Sequence, residues 1–440
     1  MTAITSAPSL AIEPARSLTA IIHNCDKDVP LVSGDSRFID LSAGRGDHVT
    51  EMIARDVVRQ RSGTFAHIAF VSHRGVGKST EIHRIENLTA ERCQSVYLEA
   101  TVEMDPNQVE AEDLLLNIAL AVEKEMRRLG KPLPSELLAR IEKWFADAVK
   151  MTKWATNYDA SIAVGADSKL DIPFLGSLFA QAKALLKHES EYRTEVKQAL
   201  KKYPGTLLDS VNSLLDAANE SLAPKSLLVI IDNLDRYDPS IIDPLLVLHA
   251  DRIRALRCHL LLTPPISLLL QPRSAQLDEC YGCYDLYTVR LRDPKQQRYD
   301  ELEPGTPGRD LLVETLSRRI HLESMIPDQA VLDRLIAASG GGIRELLDLV
   351  ATSARFASGT YITEADAEKA IARRKQRLRD QININGWWPT LKQIAESKQV
   401  SHDEHCMDVL FHRLAFKYNG EGWYDIHPLI AELPEFRSPT

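Results

Sequence analysis

The chain has 440 residues, of which 44% are hydrophobic and 26% are charged, as in a globular protein of two or three domains. Asp and Glu number 62 and Lys and Arg number 53, so the formal net charge of −9 excludes a general attraction to nucleic acid or anionic membranes. Residues 1–14 lack the basic and apolar regions of a signal peptide, and the apolar stretch 174–186 is shorter than the ~20 residues that span a bilayer. These features predict a cytoplasmic protein that does not enter the membrane.

Five apolar runs of strand length occur along the chain. They lie at 67–71, 95–102, 227–231, 259–263 and 284–291, and a helical pattern at 81–88 separates the first two. The run at 227–231 is continuously apolar, which is typical of a parallel strand buried on both faces. Because parallel strands need long crossover connections, the pattern predicts an α/β fold with a parallel sheet between layers of helices.

The interval between the second and third predicted strands, about 106–224, is far longer than one crossover requires. Apolar side chains recur at helical spacing within 114–126, 137–145 and 207–215, which predicts a mainly helical insertion, whereas 160–171 is more strand-like. After residue 294 the pattern is mostly helical to residue 410. The sequence NGEG at 419–422 then separates two strand-like runs, which predicts a hairpin within a C-terminal winged-helix-like module.

Residues 72–80 read SHRGVGKST and lie between a predicted strand and a predicted helix. The segment contains Gly77, Lys78 and Ser79, the end of the phosphate-loop pattern G-x-x-x-x-G-K-[ST], although Ser72 stands where that pattern begins with glycine. Glycines let backbone N–H groups turn toward a phosphate, and the N-terminus of the following helix adds its positive dipole. We expect Lys78 to hold the β- and γ-phosphates of ATP and Ser79 to bind Mg²⁺. The whole expected phosphate cradle consists of Arg74, Gly75, Val76, Gly77, Lys78, Ser79 and Thr80.

An acidic residue ends the apolar run LLVIID at 227–232. A carboxylate here, on a strand expected beside the phosphate loop, favours Asp232 as a ligand of the Mg²⁺ and its waters; the alternative is a turn cap. The next residue, Asn233, cannot accept a proton as a general base. Asp235 is the next candidate for that role, and its alternative is a salt bridge with Arg236. The pattern therefore favours slow, regulated hydrolysis.

With these motifs, the chain resembles the AAA+ and STAND branches of the P-loop ATPases, including bacterial ATPases whose strand ends in DDLDR; here 232–236 read DNLDR. The resemblance extends from about residue 40 to the C-terminus, apart from the insertion, and implies a three-layer P-loop NTPase fold that binds ATP and Mg²⁺.

The same resemblance implies roles for residues outside the two motifs. Thr263 matches the sensor 1 position, which ends the strand between the two motif strands and senses the γ-phosphate. Arg344, in GGGIRELL, matches the sensor 2 position on a lid helix. Arg273 is the nearest match to an arginine finger, and Arg45 and Gly46, in FIDLSAGRGD, match a segment that lies against adenine. The alternatives are that Thr263 is only a threonine at a strand end, that the segment of Arg344 is only a glycine-rich helix entry, and that Arg273 is only an exposed loop arginine.

We therefore expect six segments along the chain. They are an N-terminal tail (1–36), a first part of the ATPase core (37–105), the helical insertion (106–224), a second part of the core (225–293), a helical lid (294–380) and a winged-helix-like domain (381–440).

Three functions fit these expectations. The first is a regulatory ATPase whose nucleotide state controls assembly into a homo-oligomer or recruitment of a protein effector, which the resemblance connects with bacterial phage defence. The second is a DNA-loading or DNA-remodelling ATPase, which would contact DNA phosphates through a basic cluster. The alternative is that this cluster forms a solvated helix face or packs against acids of a neighbouring subunit. The third function is a nucleotide-binding scaffold with little hydrolysis. The basic cluster consists of Arg373, Arg374, Lys375, Arg377 and Arg379.

Overall fold

A computed structural model of the chain describes residues 12–149 and 204–437, apart from 272, 296–297, 303–305 and 420–421, together with positions 195, 198 and 200. The strand-like sequence at 160–171 and the apolar stretch at 174–186 lie outside these described residues.

Five parallel strands form the central sheet, and they correspond to the five predicted runs. Their order across the sheet is β2-β3-β4-β1-β5, and every neighbouring pair is parallel. The prediction of an α/β fold is therefore confirmed. The strands are β1 (His67–Ser72), β2 (Cys93–Glu99), β3 (Ser226–Asp232), β4 (His259–Leu262) and β5 (Gly282–Leu286).

The strand β4 lies between β1 and β3, which is the place that the resemblance implies for the strand ending at the sensor 1 residue Thr263. Two strands end earlier than predicted. The strand β2 ends at Glu99, not at residue 102, because a helical turn begins at Ala100. The strand β5 ends at Leu286, not near residue 291, because the backbone amides that follow leave the ladder. The amide of Thr288 donates to the carbonyl of Lys417, and that of Arg290 donates to the carbonyl of Gly44.

Helices occupy most of the remaining described chain. Before β3 they are α1 (Leu18–Asn24), α2 (Ser42–Arg45), α3 (Val49–Val58), α4 (Lys78–Thr89), α5 (Ala100–Glu103), α6 (Ala111–Arg128), α7 (Ser135–Val149) and α8 (Pro204–Leu222). Between β3 and β5 they are α9 (Pro239–Asp243), α10 (Ala250–Arg254) and α11 (Ser274–Cys280), with 3₁₀ turns at Leu234–Arg236 and Ile266–Leu270 and a π-helical turn at Pro244–Leu248. After β5 they are α12 (Pro307–Ser317), α13 (Leu322–Met325), α14 (Gln329–Ser339), α15 (Ile343–Phe356), α16 (Glu364–Asn385), α17 (Trp388–Ser397), α18 (Glu404–Phe411), α19 (Pro428–Ala431) and α20 (Pro434–Arg437).

The sheet is buried on both faces because alternate side chains of each strand point in opposite directions. Leu227, Val229 and Ile231 of β3 belong to the larger core, which α6 and α8 cover. Leu228 and Ile230 belong to a second core, which residues of α3 and α4 complete. The helices α6 and α8 lie at the two ends of the expected insertion, and both pack on the sheet.

The N-terminal segment packs against helices that follow the sheet. Ala15 forms a parallel bridge with Ile320, and α1 packs on α15 with Ile21 fully buried. The ammonium of Lys27 lies 2.5 Å from the carboxylate of Asp348. We call α12 to α16 (306–385) the lid.

The last described part of the chain, residues 387–437, is called the C-terminal module below. It contains α17 to α20 and the predicted hairpin, formed by the antiparallel strands β6 (Ala415–Lys417) and β7 (Tyr424–Ile426). Trp423 stacks on Tyr418 across the hairpin, with ring centroids 4.6 Å apart. Within the described residues, none of the helices combines the length and apolarity needed to cross a bilayer.

Candidate nucleotide-binding site

The loop between β1 and α4 has the backbone that a phosphate cradle needs. Gly75 and Gly77 have φ angles of 85° and 102°, which residues with a Cβ rarely adopt. Ser72 still belongs to β1, and its hydroxyl donates to the carbonyl of His73, so the position where the pattern has glycine needs no left-handed backbone here. The helix α4 begins at Lys78 directly after Gly77, so its N-terminal amides face the loop.

Asp232 is the centre of a cluster of oxygen atoms at the carboxyl ends of the strands. Its Oδ2 accepts hydrogen bonds from the hydroxyls of Ser79 (2.6 Å) and Tyr97 (2.8 Å), and its Oδ1 accepts one from Thr263 (3.2 Å). The Asp232 side chain is buried. Burial of the Tyr97 phenol and the neighbouring Asp232 carboxylate raise the pKa of Tyr97, so the phenol stays protonated as a donor. A hydroxyl and a carboxylate in contact are the hard oxygen ligands that Mg²⁺ prefers.

The loop, the helix after it and the acid-ended strand stand in the order of a P-loop protein. The chain has a P-loop NTPase fold. The sheet order and the contact between Ser79 and Asp232, which join the first and third strands of the chain across β4, are those of this fold.

The two remaining charged residues of the predicted motifs bind each other. The ammonium of Lys78 lies 2.7 Å from Oδ2 of Asp235, and the two side chains are 5% and 7% exposed. Asp235 lies in the 3₁₀ turn after β3, and its ion-pair partner is Lys78, not the alternative Arg236. The basic residue expected on the phosphates and the acid considered as a base are thus neighbours.

Sequence reasoning missed Glu99, the last residue of β2. Glu99 is the register partner of Asp232, so the ends of β2 and β3 are level. The side-chain amide of Asn233 donates to Oε1 of Glu99 at 3.1 Å, and Asn233 itself has a left-handed backbone with φ 65°. An acid at a strand end was visible in the sequence, but its relevance depends on β2 lying beside β3.

A cavity of about 200 Å³ connects these groups. Its charged lining contains eight Lys and Arg side chains against five Asp and Glu side chains, which favours an anionic ligand. One part is formed by the phosphate loop and the strand ends, and another is apolar. The apolar part includes Phe38, Ile39, Leu41, Ile343 and Leu347.

Of the two residues expected against adenine, the structure brings Arg45 to the cavity but not Gly46. The buried guanidinium of Arg45 pairs with Glu81 at 2.7 Å and donates to the carbonyl of Val76, so it links the phosphate loop to α4. Gly46 packs against the side chain of Asn419 in the C-terminal module. The segment from Phe38 to Leu41 lines the apolar part of the cavity instead.

The other members of the expected cradle have different surroundings. Arg74, Gly75, Gly77, Lys78, Ser79 and Thr80 line the cavity, whereas the side chain of Val76 is buried in the second core. The hydroxyl of Thr80 accepts a hydrogen bond from the amide of Leu31, which ties the N-terminal segment to α4.

The lid reaches the cavity through Arg344. Its backbone amide donates to the carbonyl of Gly75 at 2.9 Å, and its guanidinium lies 3.5 Å from Asp28. Arg273 is exposed in the turn before α11 and does not line the cavity. Its role as an arginine finger stays a prediction. Thr263, at the end of β4, is fully buried beside Asp232.

The C-terminal module contacts the phosphate loop directly, which the sequence did not indicate. Nε2 of His73 accepts a hydrogen bond from the amide of Lys417 at 2.8 Å, and burial lowers the pKa of His73 to about 3, so the ring is neutral. Arg74 donates to the carbonyl of Phe411, and its guanidinium lies 4.5 Å from the centre of that ring. Two consecutive loop residues thus bind α18 and β6.

The basic cluster on α16 is partly neutralised within the chain. Arg374 pairs with Glu345. Lys375 pairs with Glu432 and Arg379 pairs with Glu435, and both acids belong to the C-terminal module. Arg373 and Arg377 are exposed.

No protein-family model matches the chain, and no curated protein sequence matches it. Among solved structures, a Walker-type ATPase of Pyrococcus abyssi is similar at 12% identity and a TM-score of 0.43, covering 94% of this chain and all of its own. The ORC2 protein of Aeropyrum pernix in ADPNP–ADP complexes has 13% identity and a TM-score of 0.39, covering 88% of this chain and 90% of its own. The ORC1 protein of Aeropyrum pernix in complex with DNA has 14% identity and a TM-score of 0.38, covering 79% of this chain and 70% of its own.

Proposed function

We propose that the chain is a Mg²⁺-dependent ATPase that binds ATP in the cavity at the carboxyl ends of the strands. The observation that carries this proposal is the contact of Ser79 with Asp232 at 2.6 Å, since it joins a phosphate loop to an acid-ended strand. The basic excess in the cavity and its apolar end match a triphosphate and an adenine base.

Each side chain has a role in this proposal. Lys78 holds the β- and γ-phosphate oxygens, and Ser79 and Asp232 hold Mg²⁺, which when bound neutralises charge that develops on the phosphates. Thr263 orients Asp232 by hydrogen bonding. Arg344 brings the lid to the phosphates.

We propose further that this ATPase is regulatory, because the parts that touch nucleotide also touch the C-terminal module. His73 and Arg74 bind the module from the phosphate loop, and Glu345, next to Arg344 on the lid, pairs with Arg374 and lies 3.6 Å from His427 of the module. A ligand that moves the loop or the lid changes these contacts, and so shifts the position of the module.

Further parts of the proposal rest on the sequence resemblance alone. They are a winged-helix character of the module, assembly into a homo-oligomer with Arg273 as the finger, and a protein effector in bacterial phage defence.

ATP turnover of the purified protein tests the proposal, with Lys78→Ala as the inactive variant and the exposed Lys124→Ala as its matched control. We expect slow turnover that Lys78→Ala abolishes and Lys124→Ala retains. Light scattering on the same samples reports assembly. Turnover unchanged in Lys78→Ala would place hydrolysis elsewhere.

Hydrogen exchange tests the regulatory part, because the amide of Lys417 is the donor to His73. Saturating Mg²⁺ and ATP should change exchange in the peptide that contains 415–417, while a peptide within α8 serves as the internal control. Identical exchange at 415–417 with and without nucleotide would remove the case for coupling.

A DNA-remodelling ATPase is the second candidate, favoured by the exposure of Arg373 and Arg377 on one helix. Duplex binding should then weaken steeply with salt and fall in the Arg373→Ala/Arg377→Ala double variant. The absence of binding at low salt would exclude this candidate. A scaffold with little hydrolysis, the third candidate, would bind ATP without turnover.

A further inference from the structure

The proposed ATPase needs a group that takes a proton from the attacking water, and the two positions after Asp232 considered from sequence do not provide one. Asn233 has an amide side chain, which is not a base. Asp235 is buried against the Lys78 ammonium at 2.7 Å, so its carboxylate is already bound by the residue expected on the phosphates.

Other carboxylates that line the cavity are also engaged. Glu81 is buried and accepts from Arg45 and Thr50. On the N-terminal segment, Asp28 lies 3.5 Å from the Arg344 guanidinium, and Asp26 accepts from the backbone amide of Asp28 at 3.0 Å. None of these three acids lies at the end of a strand of the sheet.

Glu99 has the position that a base requires. It ends β2 level with Asp232 on β3, and registered residues of neighbouring strands lie ~5 Å apart, so the carboxylate stands beside the Mg²⁺ ligands. Glu99 and Ser79 line the same cavity. The donors that reach Glu99 within the described chain, the Asn233 amide at 3.1 Å and the Thr101 hydroxyl at 3.4 Å, both bind Oε1. This leaves Oε2 to accept from a water.

We propose that Glu99 is the general base of the reaction, an inference that rests on the proposed ATPase function. The water gives one proton to Oε2 of Glu99 while its oxygen forms a bond to the γ-phosphorus. The bond between the γ-phosphorus and the bridging oxygen breaks, and its electron pair leaves with ADP. Inorganic phosphate is released, and Glu99 returns the proton to solvent.

The amide and the proposed base lie on neighbouring strands of the sheet. The amide stands directly after Asp232, and the carboxylate stands on the neighbouring strand, 134 positions earlier in the chain and within hydrogen-bonding distance of the amide. The absence of an acid at position 233 is therefore not evidence for an inactive scaffold.

Steady-state turnover and ATP affinity of Glu99→Gln test the proposal, with the exposed Glu91→Gln as the matched control. The substitution keeps an oxygen for Asn233 and removes the basic oxygen. We expect turnover to fall at least ~100-fold, the lower range for loss of a general base, while the Kd for ATP stays within about twofold.

Each result has one meaning. Turnover of Glu99→Gln equal to that of Glu91→Gln would overturn the role of Glu99 and leave the ATPase proposal standing. Wild-type protein that binds ATP without turnover would overturn the ATPase proposal and the role of Glu99 together. Thermal unfolding of each variant shows whether it is folded. If Glu99→Gln is not folded, the single-turnover rate of Glu99→Asp tests the role of Glu99, and we expect that rate to be below the wild-type rate.

Discussion

Asp235→Asn should make the protein less stable but bind ATP more tightly. Asp235 holds the Lys78 ammonium at 2.7 Å in a place where both side chains are more than nine-tenths buried. In the proposed complex, phosphate oxygens approach the same ammonium, so ATP and Asp235 compete for it. Removing the carboxylate leaves Lys78 without its charged partner until ATP supplies one.

The magnitude follows from the burial of the pair. Removing one partner of a buried ion pair costs about 3–5 kcal/mol, and we take the lower limit because asparagine keeps a neutral acceptor at this position. The complex with ATP loses less, since phosphates satisfy Lys78. If the whole 3 kcal/mol is recovered on binding, the Kd for ATP falls by up to ~100-fold, because each 1.4 kcal/mol is a factor of ten.

Two measurements check this prediction. Calorimetric titration gives the Kd for ATP with Mg²⁺, and thermal unfolding without nucleotide should show a midpoint lower by a few degrees. The exposed Asp209→Asn is the control for loss of one carboxylate. An unchanged unfolding midpoint together with an unchanged or weaker affinity would refute the competition between ATP and Asp235.

Three further predictions concern the phosphate loop. Burial holds the pKa of His73 at about 3 against 6.5 in the unfolded chain, so the unfolded state binds the extra proton and stability falls as the pH drops below 6.5. His73→Gln keeps an acceptor for the Lys417 amide. Between pH 8 and pH 5.5, its free energy of unfolding in denaturant titrations should fall by about 1.4 kcal/mol less than that of the wild type. An equal fall in both proteins would contradict a buried neutral ring. Gly75→Ala places a Cβ 2.7 Å from the Cβ of Arg344 and should abolish ATP binding in a titration, whereas Gly63→Ala, with a similar positive φ but open space around it, should cost only about 1–2 kcal/mol of stability and retain binding. Ser79→Ala should weaken ATP binding at least ~10-fold with Mg²⁺ and little in EDTA, and an equal effect in both would argue against Ser79 as a metal ligand.

The fold was predictable from the sequence because its signals are local. The strand β3 is buried on both faces, so its apolar run is continuous, and the glycines at 75 and 77 are adjacent in sequence to Lys78 and Ser79. Each of these signals spans fewer than ten residues, and each needs no knowledge of the neighbouring strands.

The parts of the site that escaped prediction join distant segments. Glu99 and Asn233 are 134 positions apart, Lys78 and Asp235 are 157 apart, and His73 and Lys417 are 344 apart. Finding them requires the order of the strands and the docking of the module. Both are decided by packing between elements rather than by local pattern.

The most direct test of the account is calorimetric titration of ATP and Mg²⁺ into wild-type protein, Lys78→Ala and Lys124→Ala. The account predicts one site per chain in the wild type and in Lys124→Ala, and no measurable binding in Lys78→Ala. Undiminished binding by Lys78→Ala would contradict the assignment of the phosphate loop and with it the whole site.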